Sequence, residues 1–185
     1  MKALTLTQPW ASLVAIGAKK VETRSWSTNY RGPLAIHAAK GFPKLAQDFT
    51  YEKMSRDCLL ESPMNLKVER SRYSGGGIYR LDTQLPRGSV LARCHLVACV
   101  PTEEMCAISK QEMAFGDYSA GRFAWFLEDI ERLAEPVPAK GSLGLWEWPE
   151  PCDQPSDLGI PGEPCSCALE SDSIICPKHG PLFVR

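Results

Sequence analysis

No uninterrupted apolar run in this 185-residue chain approaches the ~20 residues that a bilayer-spanning helix needs. The opening stretch, Met1-Lys2-Ala3-Leu4-Thr5-Leu6-Thr7, is too short and too polar for a secretory signal and alternates as a strand does. These two absences predict a cytoplasmic protein. In that compartment the eight cysteines are better read as thiols or metal ligands than as disulfides. The triplet Gly75-Gly76-Gly77 is not followed by the Lys-Ser/Thr of a phosphate loop, so it reads as an open loop. Net charge is also small, at −1, and says nothing about partners until it is divided along the chain.

That division is uneven. Residues 1–44 carry seven cations against Glu22 alone, a local +6, whereas residues 101–135 carry eight acids against three cations, a local −5. A basic first third attracts phosphates even on a slightly acidic protein, although it also fits a solvated edge balanced by acids elsewhere in space. Apolar content of 44% and charged content of 23% suit a soluble globular protein, and the length suits one domain with an appendage.

Along the chain, residues 3–7 predict a strand. Thr7-Gln8-Pro9-Trp10 opens a helix, with Thr7 as its cap and Pro9 in its first turn. Gln8 and Trp10 stand at its mouth as ligand contacts, with core packing the alternative for Trp10. Gly17 closes the helix after an apolar run. Beyond it Val21, Thr23 and Ser25 alternate with Glu22, Arg24 and Trp26, so a strand here puts an acid, a guanidinium and an indole on one face, with Lys19 at the turn leading in. Residues 29–33, containing Arg31, read as a turn and residues 34–40 as a strand. His37 on that strand is either a site residue or a satisfied buried histidine. A single helix is expected from Gly41-Phe42-Pro43 to about Leu60. Residues 89–100 read as a long strand, residues 123–127 as a buried strand apolar on both faces, and residues 134–148 as a loop and a final strand.

Five pieces in this order resemble the ASCH domain (activating-signal-cointegrator homology) over residues 1 to about 150. They are Leu4-Thr5-Leu6-Thr7-Gln8-Pro9-Trp10-Ala11; Gly17-x-Lys19-x-x-Glu22-x-Arg24-x-Trp26; residues 30–38 from Tyr30 to Ala38; Phe115-Gly116-Asp117-Tyr118 with Arg122-Phe123-Ala124-Trp125; and Lys140-Gly141 with Gly144-Leu145-Trp146. The resemblance implies an α+β, PUA-like fold: a small, mixed, partly closed β-barrel with flanking helices. It further implies a cleft beside the glycine-lysine turn that takes RNA, single-stranded nucleic acid or a nucleotide-like ligand. Lys19, Glu22 and Arg24 would line it, with Tyr118, Arg122 and Lys140 around it. Lysine and arginine would hold phosphates, Trp26 or Tyr118 would stack on an unpaired base, and Glu22 would accept from an exocyclic amine or ribose hydroxyl.

Two other functions compete with binding. Some small members of the family are similar in fold to an acetylcytidine amidohydrolase that uses a Lys, a Thr nucleophile and a Glu. Its lysine falls on Lys19, but its nucleophile position falls on Glu22, and a carboxylate is a poor nucleophile for an amide. A metal-independent nuclease using Lys19, Glu22 or His37 is the related alternative. The same Lys19-Glu22-Arg24 group also reads as a salt-bridge lattice that pins the turn. The second competitor is a protein-interaction adaptor that uses the tail.

That tail is compositionally distinct. The expected division is an ASCH domain over residues 1–149, a Pro-rich linker over 150–164 and a small tail over 165–185. Cys165, Cys167, Cys176 and His179 can supply a closed tetrahedral zinc site, and in so short a segment the metal would be the stabilising element. A disordered tail with incidental thiols is the alternative.

Overall fold

The computed structural model describes residues 1–64, 66, 81–150, 175–176 and 180–181. The chain divides into two compact units, Lys2–Glu147 and Met1 with Trp148–Arg185. The larger unit is built on a six-stranded mixed sheet, curled into a half-barrel. Its strands are β1 (Lys2–Leu6), β2 (Val21–Arg24), β3 (Gly32–Ala38), β4 (Ser89–Pro101), β5 (Phe123–Pro138) and β6 (Leu145–Glu147), in the order β2-β5-β4-β3-β1-β6. Only β1 and β3 run parallel; every other neighbouring pair is antiparallel.

The register creates one feature on which the rest depends. Leu6 pairs with Ala38, Ala38 with Ser89, and Ser89 with Pro138, so four strands end or begin along a single row. Segments entering or leaving the sheet at this row are neighbours, because adjacent strands lie only ~4.8 Å apart.

The helices are short: α1 (Trp10–Ala15), α2 (Lys44–Thr50), α3 (Lys53–Leu60), α4 (Leu81–Gln84) and α5 (Lys110–Phe115), with one 3-10 turn at Thr102–Glu104. Helix α1 lies against β3, β4 and β5. Its buried Ala11 and Val14 join Leu4, Leu6, Leu34, Ile36, Leu96, Trp125 and Leu127 in the main core. Leu13, on its other side, packs with Leu59, Leu85 and Phe115 in a second core cluster.

Three local expectations are corrected. The N-cap position of α1 is Pro9, not Thr7; from the residue before it Gln8 Oε1 accepts from the Ser12 amide at 3.1 Å, while Gln8 Nε2 donates to the Pro86 carbonyl at 2.5 Å. The helix expected to reach Leu60 is two helices, because Tyr51 closes α2 and Glu52 is extended at ψ 139°. Residues 134–138 continue β5 and do not form a loop. Beyond Phe126 this strand has a ladder only with β4 among the described residues, so the second edge of Pro136 and Pro138 has no described ladder to break. Helix α5 was not anticipated; the Ser109 hydroxyl caps it by accepting from the Glu112 amide at 3.1 Å.

In the smaller unit the Met1 ammonium donates to the Trp148 carbonyl and the Trp148 amide to the Met1 carbonyl, both at 2.9 Å. Two short strands, β7 (Ile175–Cys176) and β8 (Gly180–Pro181), pair antiparallel. Cys165, Cys167 and His179 lie outside the described residues, and Cys176 stands in β7. No helix among the described residues is long and apolar enough to cross a membrane.

Candidate functional site

Gly17, at φ +75°, turns the chain out of α1, and the Lys19 amide donates back to the Leu13 carbonyl at 3.0 Å. This aims the Lys19 side chain inward, where it is 0% exposed. Its ammonium donates to the Val21 carbonyl and lies 3.5 Å from Glu22 Oε2. The other oxygen, Oε1, lies 3.6 Å from an Arg24 terminal nitrogen, and the Arg24 guanidinium stands 5.9 Å from the centre of the Trp26 ring. A buried ammonium survives only when paired in this way. The group is therefore a relay of alternating charge that starts in the interior and emerges at Arg24.

The outer part of this relay borders a cleft of about 400 Å³. One wall is aromatic. Trp10 and Phe49 stack with centroids 5.0 Å apart and planes 16° apart, and Phe115 meets Phe49 edge-on at 6.4 Å. The facing edge is polar: Glu22, Thr23 and Arg24 from β2, with Asp117 and Arg122 from the segment between α5 and β5. Arg122 Nε donates to the Asp117 carbonyl at 3.0 Å and a terminal nitrogen to the Thr23 carbonyl at 3.1 Å; the Thr23 hydroxyl accepts from the Asp117 amide at 3.1 Å. These bonds lash the 116–122 segment to β2. Tyr118 packs on Gly116, where a β-carbon would come within 2.8 Å of its ring. Burial first, then the carboxylates of Glu112 and Glu22, push its phenol well above the ordinary range, so it stays a neutral donor.

Two expectations change here. Lys19 does not line the cleft but holds Glu22 from behind. The cleft is not basic: Arg24 and Arg122 are balanced by Glu22 and Asp117. Much of the early basic excess is also spent elsewhere, since Lys2 pairs with Glu147 at 2.5 Å and Lys44 with Asp48 at 2.7 Å.

The remaining expected residues scatter. Gln8 is fully buried, its side chain bridging the Ser12 amide and the Pro86 carbonyl. Trp26 packs edge-on against Trp125 at 4.6 Å. Arg31 spans the carbonyls of Thr28, Tyr30 and Cys99. His37 and Lys140 belong to a second cavity, of about 810 Å³, which shares no lining residue with the first. His37 is 2% exposed there; Nε2 donates to the Ala139 carbonyl at 3.1 Å, which leaves Nδ1 to accept from the Thr5 hydroxyl at 3.2 Å. Burial lowers its pKa, so the ring is neutral near pH 7.

Sequence reasoning missed Phe49, Thr23 and Asp117 in the first cavity and Lys40 and Arg87 in the second. Phe49 sits on a helix whose apolar face gives no hint of what it covers. Lys40 and Arg87 did leave a signal. Lys40-Gly41, Arg87-Gly88 and Lys140-Gly141 are cation-glycine pairs whose cations meet at one cavity, while a fourth such pair, Arg31-Gly32, lies elsewhere.

The fold and this cleft define a class: a small α+β half-barrel with a charge relay at a glycine-lysine turn. The ASCH domain family matches residues 4–137, and the chain belongs to that family. It is 24% identical over 159 residues to activating signal cointegrator 1 of Mus musculus and 26% identical over 157 residues to that of Homo sapiens. Each match covers 85% of this chain but only 24% of the relative, so the chain spans about a quarter of their length. A solved mutant of the ASCH protein of Zymomonas mobilis matches with a TM-score of 0.38 at 14% identity, covering 74% of both chains.

Proposed function

We propose that the protein binds RNA or single-stranded nucleic acid, with one unpaired base held in the aromatic cleft beside the glycine-lysine turn. The observation that carries this reading is the pairing of a Trp10-Phe49-Phe115 wall with a polar edge of balanced charge. A flat apolar face needs an aromatic wall, and the donors and acceptors of a base edge need both signs opposite it. A cleft meant for phosphate alone would carry cations without Glu22 and Asp117. Membership of the ASCH family, which is associated with RNA binding, supports the same reading.

In this role Glu22 accepts from a base N–H, and the free terminal nitrogens of Arg24 and Arg122 donate to a carbonyl or ring nitrogen. Lys19 is a positioning residue that keeps the Glu22 carboxylate aimed. The test is binding of an eight-nucleotide single-stranded RNA and its DNA counterpart to wild type and Trp10→Ala, with the same mixtures run on a gel. Binding that weakens in the variant without product supports the reading. No binding overturns it, and cleaved product moves the protein to a hydrolase.

A further inference from the structure

The second cavity is where cations collect without carboxylate partners. Lys40, Arg87 and Lys140 line it, no carboxylate does, and none of the three forms an ion pair among the described residues. Their meeting follows from the strand register. Lys40 stands two residues past Ala38, Arg87 two before Ser89, and Lys140 two past Pro138, which is the same paired row described above. Gly88 ties the three segments together. At φ +65° its amide donates to the Ala38 carbonyl at 2.8 Å, and its own carbonyl accepts from the Ala139 amide at 3.0 Å. The Lys140 segment is held from beneath as well, through Ala139 on His37. Three long cationic side chains are thus fixed at their roots within a few strand spacings. No lining carboxylate relieves their mutual repulsion, the Arg87 guanidinium lying only against the Phe42 ring at 6.0 Å from its centre, and a groove lined by one sign of charge concentrates the opposite sign.

Both cavities touch the C-terminal end of β1, with Thr5 and Leu6 on opposite faces of the strand. The row that carries Ala38, Ser89 and Pro138 begins at Leu6, which lines the aromatic cleft with Thr7, whereas Thr5 lines the basic cavity.

We propose that Lys40, Arg87 and Lys140 form a phosphate-binding rim that takes backbone phosphates of the same single strand whose base enters the aromatic cleft. This rests on the base-binding reading for the identity of the strand, but not for the phosphate chemistry. The two cavities then divide the work: the cleft reads the base, and the rim supplies salt-dependent affinity without regard to sequence.

The experiment compares wild type, Arg87→Gln/Lys140→Gln and Trp10→Ala, with folding checked by thermal melting. Affinity for a labelled eight-nucleotide RNA is followed against salt. Loss of two phosphate contacts lowers the slope of log affinity against log salt by about 1.4, at ~0.7 per contact on a single strand, whereas Trp10→Ala leaves it unchanged. An unchanged slope in the double variant overturns the rim. A second arm titrates inorganic phosphate and uridine 5′-monophosphate while recording the ring-proton resonance of His37. If wild type binds no RNA but either probe shifts that resonance, and the double variant abolishes the shift, the rim stands as a site for free phosphate groups and the base-binding reading falls. No RNA binding and no shift overturns both.

Discussion

The two cavities border the same end of the sheet and solve opposite electrostatic problems. At the aromatic cleft every lining charge has a partner: the buried Lys19 holds Glu22, Glu22 faces Arg24, and Arg122 is spread over Asp117 and the Thr23 carbonyl. At the basic cavity the three cations have no carboxylate partner among the described residues, and the buried polar chemistry lies beneath them in the Thr5–His37–Ala139 chain of hydrogen bonds. The difference teaches that the conspicuous charged motif in the sequence is mostly scaffold, and that the unsatisfied charge belongs to residues no single motif joins. Removing the charged groups of the first should therefore cost folding, and removing the cations of the second should cost only binding.

The hardest blow to this contrast is at Lys19. Lys19→Ala leaves Glu22 without its interior partner, and breaking a buried ion pair costs about 3–5 kcal/mol. A denaturant titration should show that loss, and Lys19→Met/Glu22→Gln should recover a large part of it. A Lys19→Ala protein of wild-type stability would show that the relay is not structural. Next is Gly141→Ala, which puts a β-carbon 2.3 Å from His37 Cε1 and 2.9 Å from the Thr5 hydroxyl, against a buried ring held by hydrogen bonds at both nitrogens. Overpacking of this kind costs about 1–3 kcal/mol. It should lower the melting temperature while leaving the aromatic cleft intact; an unperturbed melt would mean that the 139–142 segment yields.

In binding, Trp10→Ala should weaken single-stranded RNA by about 1–3 kcal/mol, the usual range for one stacked base, while Lys110→Ala, on the far part of α5 from the cleft lining, should do nothing. Equal losses in both would place the RNA elsewhere. The smallest effect is a pH dependence. Burial holds the His37 pKa below its unfolded value of 6.5, so near pH 7 the ring is neutral folded or unfolded and contributes no linkage. As pH falls through 6.5 the unfolded chain takes up the proton first, and stability declines until the folded-state pKa is reached. The urea midpoint should drop between pH 7.5 and 5.5, and His37→Gln should flatten that drop.

How much of this could be read in the sequence differs by element. The strand pattern was visible where periodicity was uninterrupted, at β1, β2, β3 and most of β4. It failed at β5, because Pro136 and Pro138 are loop signals unless it is known that one edge of the strand is already unpaired. Helix α5 escaped because six residues give too little periodicity to register. At the site, the order Lys19, Glu22, Arg24 announced that these groups would meet, but strand alternation cannot say which of them faces the interior. That was decided by Gly17 and the return of the Lys19 amide to Leu13. The Lys40-Arg87-Lys140 group depends on three strand ends falling in one row, and register is a property of the folded sheet.

The burial of Lys19 also has an analytical use. An amine-acylating reagent added to the native protein can reach Lys40 and Lys140 at the surface but not an ammonium with no accessible area. Peptide mass mapping would then contain its own reference. Modification at Lys40 and Lys140 reports whether a ligand covers the rim, and modification at Lys19 reports only the fraction of molecules that have opened.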